Sequence, residues 1–273
     1  MKKKQRIIIK LGGSAITAKD DSRPEVNAAN LERLAGEISE ALKGDKSSLF
    51  IVHGAGPFGH VPAKKYELNS GLKSSDQVIG ISETHQSMEE LNYAVVGTLR
   101  KFGIPAIAFQ PSAGGILKKG KLIKFPLEVI EKMLEIGLVP VSYGDVLLDL
   151  DKGVSILSGD HLVSYLAEKL KADRVLLVAD VPGIFDKDPK KNKDAKIVKE
   201  LDRKSIHLIQ EIGSAKGTDV TGGMKGKLDE LLRLADMGIE SEIISGFVPE
   251  NLMRSLHGER GIGTIIKKSH KFK

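Results

Sequence analysis

The stretch Arg6-Ile7-Ile8-Ile9-Lys10-Leu11-Gly12-Gly13-Ser14 decides the fold. Its isoleucines do not alternate with polar residues, so the strand they predict over Arg6–Lys10 is covered on both faces, as parallel strands are. Two glycines then close it. The same plan recurs in Leu49–His53, closed by Gly54, and in Ile104–Gln110, Leu138–Ser142, Arg174–Ala179 and Ser241–Ser245. Between these runs the spacing turns helical. Leu31, Leu34, Ile38 and Leu42 share one face of Asn30–Leu42, and Glu83–Arg100, His161–Leu170 and Lys225–Met237 have similar spacing. Asp160 stands before one helix and Gly238 after another, where caps are expected. Such alternation predicts an α/β fold: a three-layer αβα sandwich around a mainly parallel sheet.

Two segments break the rhythm. Ala113–Lys124 and Val146–Leu157 each read as a glycine-turned hairpin. Asp186–Lys199, dense in lysine and aspartate, reads as a surface loop that orders on a ligand. Residues 1–273 form a single domain in this reading, with a boundary between lobes near Ser158, giving 1–157 and 158–273.

Composition removes several functions. The chain has 273 residues, 42 basic and 36 acidic side chains, and no cysteine, which excludes disulfides, thiolate nucleophiles and cysteine-ligated metals. The net charge of +6 invites a nucleic-acid reading, but eight cations lie at the ends: Lys2, Lys3, Lys4, Arg6, Lys267, Lys268, Lys271 and Lys273. Without them 34 bases face 36 acids, a body of net −2, where a nucleic-acid binder needs a basic face. Eight Phe, four Tyr and no Trp leave little for base stacking. No secretory leader or membrane span is legible: Ile7–Ile9 is followed at once by Lys10, and no apolar run approaches about 20 residues. The expectation is a cytoplasmic protein that inserts in no membrane and binds no nucleic acid.

Five constellations remain. Lys10-Leu11-Gly12-Gly13-Ser14 lets backbone N–H groups approach an anion beside a fixed positive charge, although a plain tight turn explains the glycines equally well. His53-Gly54-Ala55-Gly56-Pro57-Phe58-Gly59-His60 carries three glycines in six residues at another strand end, where open α/β sheets bind ligands. His53 reads as a strand-end residue, whereas His60, in the following helix, reads as a donor to an anionic oxygen. Ser158-Gly159-Asp160 enters a helix; capping by Asp160 explains that residue fully, and a functional Asp160 would aim the lysines. Asp180-Val181-Pro182-Gly183 reads as a turn that continues into Phe185-Asp186-Lys187-Asp188-Pro189-Lys190. Thr221-Gly222-Gly223-Met224-Lys225-Gly226-Lys227 opens a helix whose free N–H groups suit phosphates. Lysines in that first turn oppose the helix dipole, a misfit of about a few tenths of a kcal/mol each, which a polyanion would relieve. The seven histidines lack zinc spacing, and no serine sits in a Gly-x-Ser-x-Gly setting.

Taken in order, these five segments resemble the amino acid kinase superfamily from Lys10 to Lys227, and within it the isopentenyl phosphate kinases. The histidine-terminated glycine loop and Lys19 carry that finer likeness. The resemblance implies transfer of the γ-phosphoryl group of ATP to the phosphate of isopentenyl phosphate. It implies ATP and Mg²⁺ as cofactors, no assigned protein metal ligand, and a homodimer. It makes residues 1–157 the acceptor-binding lobe and 158–273 the nucleotide-binding lobe. By the same match Lys10, Leu11, Gly12, Gly13, Ser14 and Gly56 would hold ATP phosphates, and Lys19 would stabilise the transition state. Ala55, His60 and Gly159 would contact the acceptor phosphate, and Asp160 would organise the lysines. Asp180, Phe185, Asp186, Lys187, Asp188, Pro189, Lys190, Gly223 and Lys227 would bind nucleotide. Many relatives carry glycine at Ala55, a change that leaves a backbone N–H contact intact.

Alternatives stay open: a superfamily kinase acting on a carboxylate, carbamate, nucleoside monophosphate or fosfomycin-type phosphonate, or a nucleotide sensor without catalysis. The helical stripe of Ile79, Met88 and Tyr93 reads as core packing before it reads as the wall of a prenyl pocket.

Overall fold

A computed structural model describes residues 5–18, 23–44, 47–206, 209 and 223–269. The elements run β1 (Arg6–Leu11), α1 (Gly13–Ile16), α2 (Ala28–Leu42), β2 (Ser48–His53), α3 (Gly56–Lys65), α4 (Asp76–Lys101), β3 (Ala106–Ala108), β4 (Ile116–Lys118), β5 (Lys121–Lys124), α5 (Leu127–Glu135) and β6 (Val139–Tyr143). They continue with β7 (Asp145–Asp149), β8 (Gly153–Leu157), α6 (Gly159–Lys169), β9 (Arg174–Ala179), β10 (Glu200–Leu201), α7 (Gly223–Asp236), β11 (Glu240–Ser245), α8 (Asn251–Leu256) and β12 (Thr264–Ile266). No helix of the described residues is long and apolar enough to cross a membrane.

Eight strands form one sheet in the order β10-β12-β11-β9-β1-β2-β6-β3, parallel except at β11–β12. β1 is central because both its faces are apolar. Ile8 packs with Ile130 of α5, Leu162 of α6 and Leu228 of α7. Ile7, Ile9 and Leu11 pack with α2, α4 and α8 on the other side. The sandwich read from the isoleucine run is therefore the observed one. Strands from residues before Ser158 lie on β1's side and those after it begin at β9, its hydrogen-bonded neighbour in one continuous sheet.

The structure corrects three details. Only Ala106–Ala108 of Ile104–Gln110 is strand; Pro105 and Pro111 bracket it, and it pairs on one edge with β6. The helix read from Glu83 starts at Asp76, where the Gln77 side chain accepts from the backbone N–H groups of Lys73 and Ser74 and closes the turn. Both hairpins form, and β4 joins β7 in parallel to make one four-stranded sheet, β5-β4-β7-β8. Asp149 staples the turns of that sheet: burial opposes its charge, yet donors from Gly120, Asp151, Lys152 and Ser155 hold its carboxyl below the usual range.

Parallel strands put their carboxyl ends on one side. Gly12, Gly54, Gly144 and Asp180 follow β1, β2, β6 and β9 there, so any ligand-binding crevice belongs at that edge.

Candidate functional site

A cleft of about 640 Å³ opens at that edge. Its floor is the contact between the first two glycine loops. A Cβ on Gly54 would lie 2.5 Å from Gly13 N, and one on Gly13 would fall inside contact of Gly56 N, so the loops touch backbone to backbone. Gly56 also sits at φ +51 against the Thr17 side chain. Thr17 in turn donates to the Gly13 carbonyl at 2.8 Å. The tight-turn reading of these glycines holds: Gly12 and Gly54 donate their N–H groups to the carbonyls of Val178 and Leu11, each at 2.8 Å, and the close approach leaves Gly13, Ser14, Ala55 and Gly56 lining the cleft.

Helices α3, α6 and α7 all begin at this edge, and the N–H groups of a helix's first turn have no intrahelical acceptor. Ser158, not Asp160, caps α6, its side chain accepting from His161 N. Asp160 is therefore inside the first turn and free of the capping duty expected for it. Its Oδ1 lies 2.5 Å from Lys10 Nζ and its Oδ2 4.0 Å from Lys227 Nζ. One carboxylate so ties a lysine from β1 to a lysine from α7, 217 positions apart in the chain. Burying such charges is costly unless they are paired, and Asp160 pairs with both lysines. Lys10 is only 8% exposed.

Lys10, Gly12, Gly13, Ser14, Ala55, Gly56, His60, Gly159, Asp160, Asp180 and Lys227 all line the cleft. Leu11 is fully buried among the α2–α4–α8 layer, so its side chain is core and only its backbone reaches the loop. Phe185, Asp186, Lys187, Asp188, Pro189 and Lys190 do not line the cleft. They are engaged in their own loop: Phe185 bridges Ile197, Asp186 accepts from Lys196 N, Lys187 pairs with Asp194 at 2.6 Å, and Asp188 accepts from Lys190 N. Gly223 opens α7. Lys19, residues 219–222 and the terminal lysines at 2–4, 271 and 273 lie outside the described residues.

His53 is a core residue, as its bland reading had it. It is fully buried, donates from Nδ1 to the Gly54 carbonyl, faces the Asn92 amide at Nε2 and stacks on Tyr143. Burial pushes it down to about 4, against the pull of the Gly54 bond, so it is neutral. The stripe on α4 divides. Met88 is buried and lines the cleft, while Ile79 and Tyr93 are 59% and 83% exposed and belong to neither core nor cleft.

The sequence reading missed one part of the cleft: Gly144-Asp145-Val146, with Thr84, Ala63 and Ile156 beside it. A glycine at the carboxyl end of β6 obeys the rule that found the other loops, so Tyr143-Gly144-Asp145 was findable. Ala63, Met88, Val146 and Ile156 make this end of the cleft apolar.

Comparison with known proteins agrees with this geometry. The model of the amino acid kinase family matches residues 5–245. An isopentenyl phosphate kinase of Methanothermobacter thermautotrophicus is 42% identical over 97% of this chain and 100% of its own. Among solved structures, one of an isopentenyl phosphate kinase superposes with a TM-score of 0.83 at 40% identity, covering 96% of this chain and all of its own. A second, described as an isopentenyl phosphate kinase substrate complex, gives 0.77 at 28% identity with the same coverage. On these grounds the chain belongs to the amino acid kinase family, and within it to the isopentenyl phosphate kinases.

Proposed function

We propose that this protein transfers the γ-phosphoryl group of ATP to isopentenyl phosphate, giving isopentenyl diphosphate and ADP. The observation that carries this reading is a cleft with charge-bearing loops at one end and apolar walls at the other, joined by the Lys10–Asp160–Lys227 cluster. An acceptor with an anionic head and a short hydrocarbon tail fits that polarity.

In the proposed step an oxygen of the acceptor phosphate attacks the γ-phosphorus in line, and the bond from that phosphorus to the β,γ-bridging oxygen breaks. The acceptor is already an anion, so no strong base is required. Catalysis rests on alignment and neutralisation of charge over the equatorial oxygens. Lys10, the Gly12–Ser14 backbone, Gly56 and Lys227 hold the ATP phosphates, and Lys19 stabilises the transition state. Ala55 N–H, Gly159 N–H and His60 hold the acceptor phosphate; His60 polarises it and removes no proton. Asp160 aims the two lysines. Asp180 and Gly223 bind nucleotide at the cleft, and the Phe185–Lys190 loop covers the nucleoside beyond it. Residues 1–157 bind the acceptor and 158–273 the nucleotide, so transfer crosses the β1–β9 boundary.

Mg²⁺ suits this site as a companion of the substrate. The described residues hold no group of three or more His, Asp or Glu able to enclose a metal, and Mg²⁺ on nucleotide phosphates needs few protein ligands. It would neutralise phosphate charge, with Asp160 and Asp180 the nearest candidates among the cleft residues.

The protein acts as a cytoplasmic homodimer in this reading. The large aromatic Tyr93, 83% exposed on α4, supports an interface on that face. ATP turnover measured with isopentenyl phosphate, fosfomycin, UMP, acetylglutamate and carbamate tests the assignment. Preference for isopentenyl phosphate is expected; none would overturn the acceptor, and turnover of another of these would name its replacement.

A further inference from the structure

The anion cleft contains a buried acid that is tied to no lysine in the cluster described above. Asp145 opens β7, lines the cleft, and has a fully buried side chain. Its Oδ1 accepts from Val146 N at 2.8 Å and faces His85 Nδ1 at 3.0 Å, while its Oδ2 accepts from Ser112 N at 3.3 Å. His85 lies on α4, beside Thr84 and three residues before Met88, both cleft residues.

The second nitrogen of His85 is placed for either protonation state. Nε2 is 3.3 Å from Glu89 Oε1 and 2.8 Å from the Gln110 amide. A neutral ring accepts from the Gln110 NH₂. An imidazolium donates to Glu89, or to the Gln110 oxygen once that amide turns over, since its two ends are interchangeable in position. Charged or titratable groups on the packed elements include Asp145 on β7, Glu83 and Glu89 on α4, Tyr143 on β6, and His60, Lys64 and Lys65 on α3. Of these, Lys65 is bonded to Glu83 at 3.2 Å, and burial first, then the charges of Asp145 and Glu89, raises the Tyr143 hydroxyl, which stays neutral. His85 itself is raised, chiefly by its bond to Asp145 against the pull of burial.

What Asp145 holds matters to the acceptor. Gly144, just before it, donates to the His53 carbonyl at 3.3 Å, and a Cβ on Gly144 would come within 3.1 Å of Gly159 N. The Gly144–Val146 wall therefore abuts the N-terminus of α6, where the proposed function seats the acceptor phosphate.

We propose that His85 is a positioning residue of the acceptor pocket: bound between Asp145 and Glu89, its imidazolium neutralises the buried Asp145 carboxylate and fixes the Gly144–Val146 wall, so that affinity for the phosphate acceptor, and not for ATP, follows its protonation. This rests on the acceptor assignment made above. When His85 loses its proton, Asp145 becomes an uncompensated negative charge beside an anionic substrate.

The test measures KM for isopentenyl phosphate and for ATP, with kcat, for wild type, His85→Gln, His85→Lys and Glu89→Gln from about pH 6 to about pH 9. Dividing each variant by wild type at the same pH removes the ionisation of the acceptor itself. His85→Gln, which keeps a donor but no charge, should raise the acceptor KM about tenfold at the acid end and less than about twofold at the alkaline end. KM for ATP and kcat should move less than about twofold throughout. His85→Lys should hold the acceptor KM low to the alkaline end, and Glu89→Gln, an exposed change that spares the fold, should move the wild-type rise to lower pH. A His85→Gln ratio that is flat with pH, or an equal change for acceptor and ATP, overturns the proposal while the acceptor assignment stands. Wild-type failure to use isopentenyl phosphate at any pH overturns the acceptor assignment and this proposal with it.

Discussion

Replacing Gly54 by alanine should cost far more activity than stability. The new methyl would sit 2.5 Å from Gly13 N, whereas ordinary contact begins at 3.4 Å, so the two loops must part by the difference, 0.9 Å. Both partners are backbone, which leaves no side chain to swing away. Overpacking of this kind costs about 1–3 kcal/mol. In a chain of 273 residues that lowers Tm by only about 2–5 °C. The same displacement moves the Gly13 N–H away from a phosphate oxygen, and an error near 1 Å at a reacting group costs about 100-fold in rate. Thermal unfolding and steady-state kinetics on one preparation separate the two effects. The expected result is a folded protein at 25 °C with kcat/KM for ATP reduced by about two orders of magnitude. Gly13→Ala strains the same junction from the other loop, so the double variant should be less impaired than the product of the singles. Wild-type kcat/KM in Gly54→Ala, with Tm lowered as calculated, would refute the claim that loop contact sets the phosphate geometry.

Other expected outcomes follow from single contacts. His60→Ala should lower kcat about 100-fold or more, and Lys227→Ala should chiefly raise KM for ATP, by about tenfold or more; wild-type turnover in His60→Ala would refute its role in the site. His53 is neutral in the fold and titrates near 6.5 when unfolded, so the unfolded chain binds the extra proton between pH 6.5 and about 4. Stability from this residue is complete above pH 6.5 and falls by about 3 kcal/mol as pH drops through that window; urea unfolding should show the slope, and His53→Gln should flatten it. Gly97 lies on an exposed face of α4, with nothing within 4 Å of an added Cβ. Gly97→Ala should therefore stabilise the helix by about 0.5–1 kcal/mol and raise Tm by about 1–2 °C without altering kinetics.

Strands buried on both faces were legible because they leave unbroken apolar runs, as in Ile7–Ile9 and Arg174–Ala179. The short strands β10, at the sheet edge, and β12, beside it, were not, since two or three residues carry no period. The glycine loops of the cleft were legible where glycines cluster, because clustered glycine is wasteful unless backbones must approach. Asp145 and His85 escaped that test. Their meeting is a contact between residues 60 apart that no local pattern records. Asp160 was legible as a residue, but a capping aspartate and an aspartate two residues further into the helix look the same until the Ser158 cap is seen.

Acids are unexpected in the phosphate cleft proposed above, and their pairing gives the reason for them. Lys10 and Lys227 come from opposite ends of the chain and repel one another at close range. Asp160 lies between them and pairs with both. Asp145 and His85 repeat the arrangement on the acceptor side with a cation that can be switched off. A charge at the acceptor end of the cleft acts on the acceptor before it acts on ATP, which is why the KM for isopentenyl phosphate, and not that for ATP, is the quantity to follow.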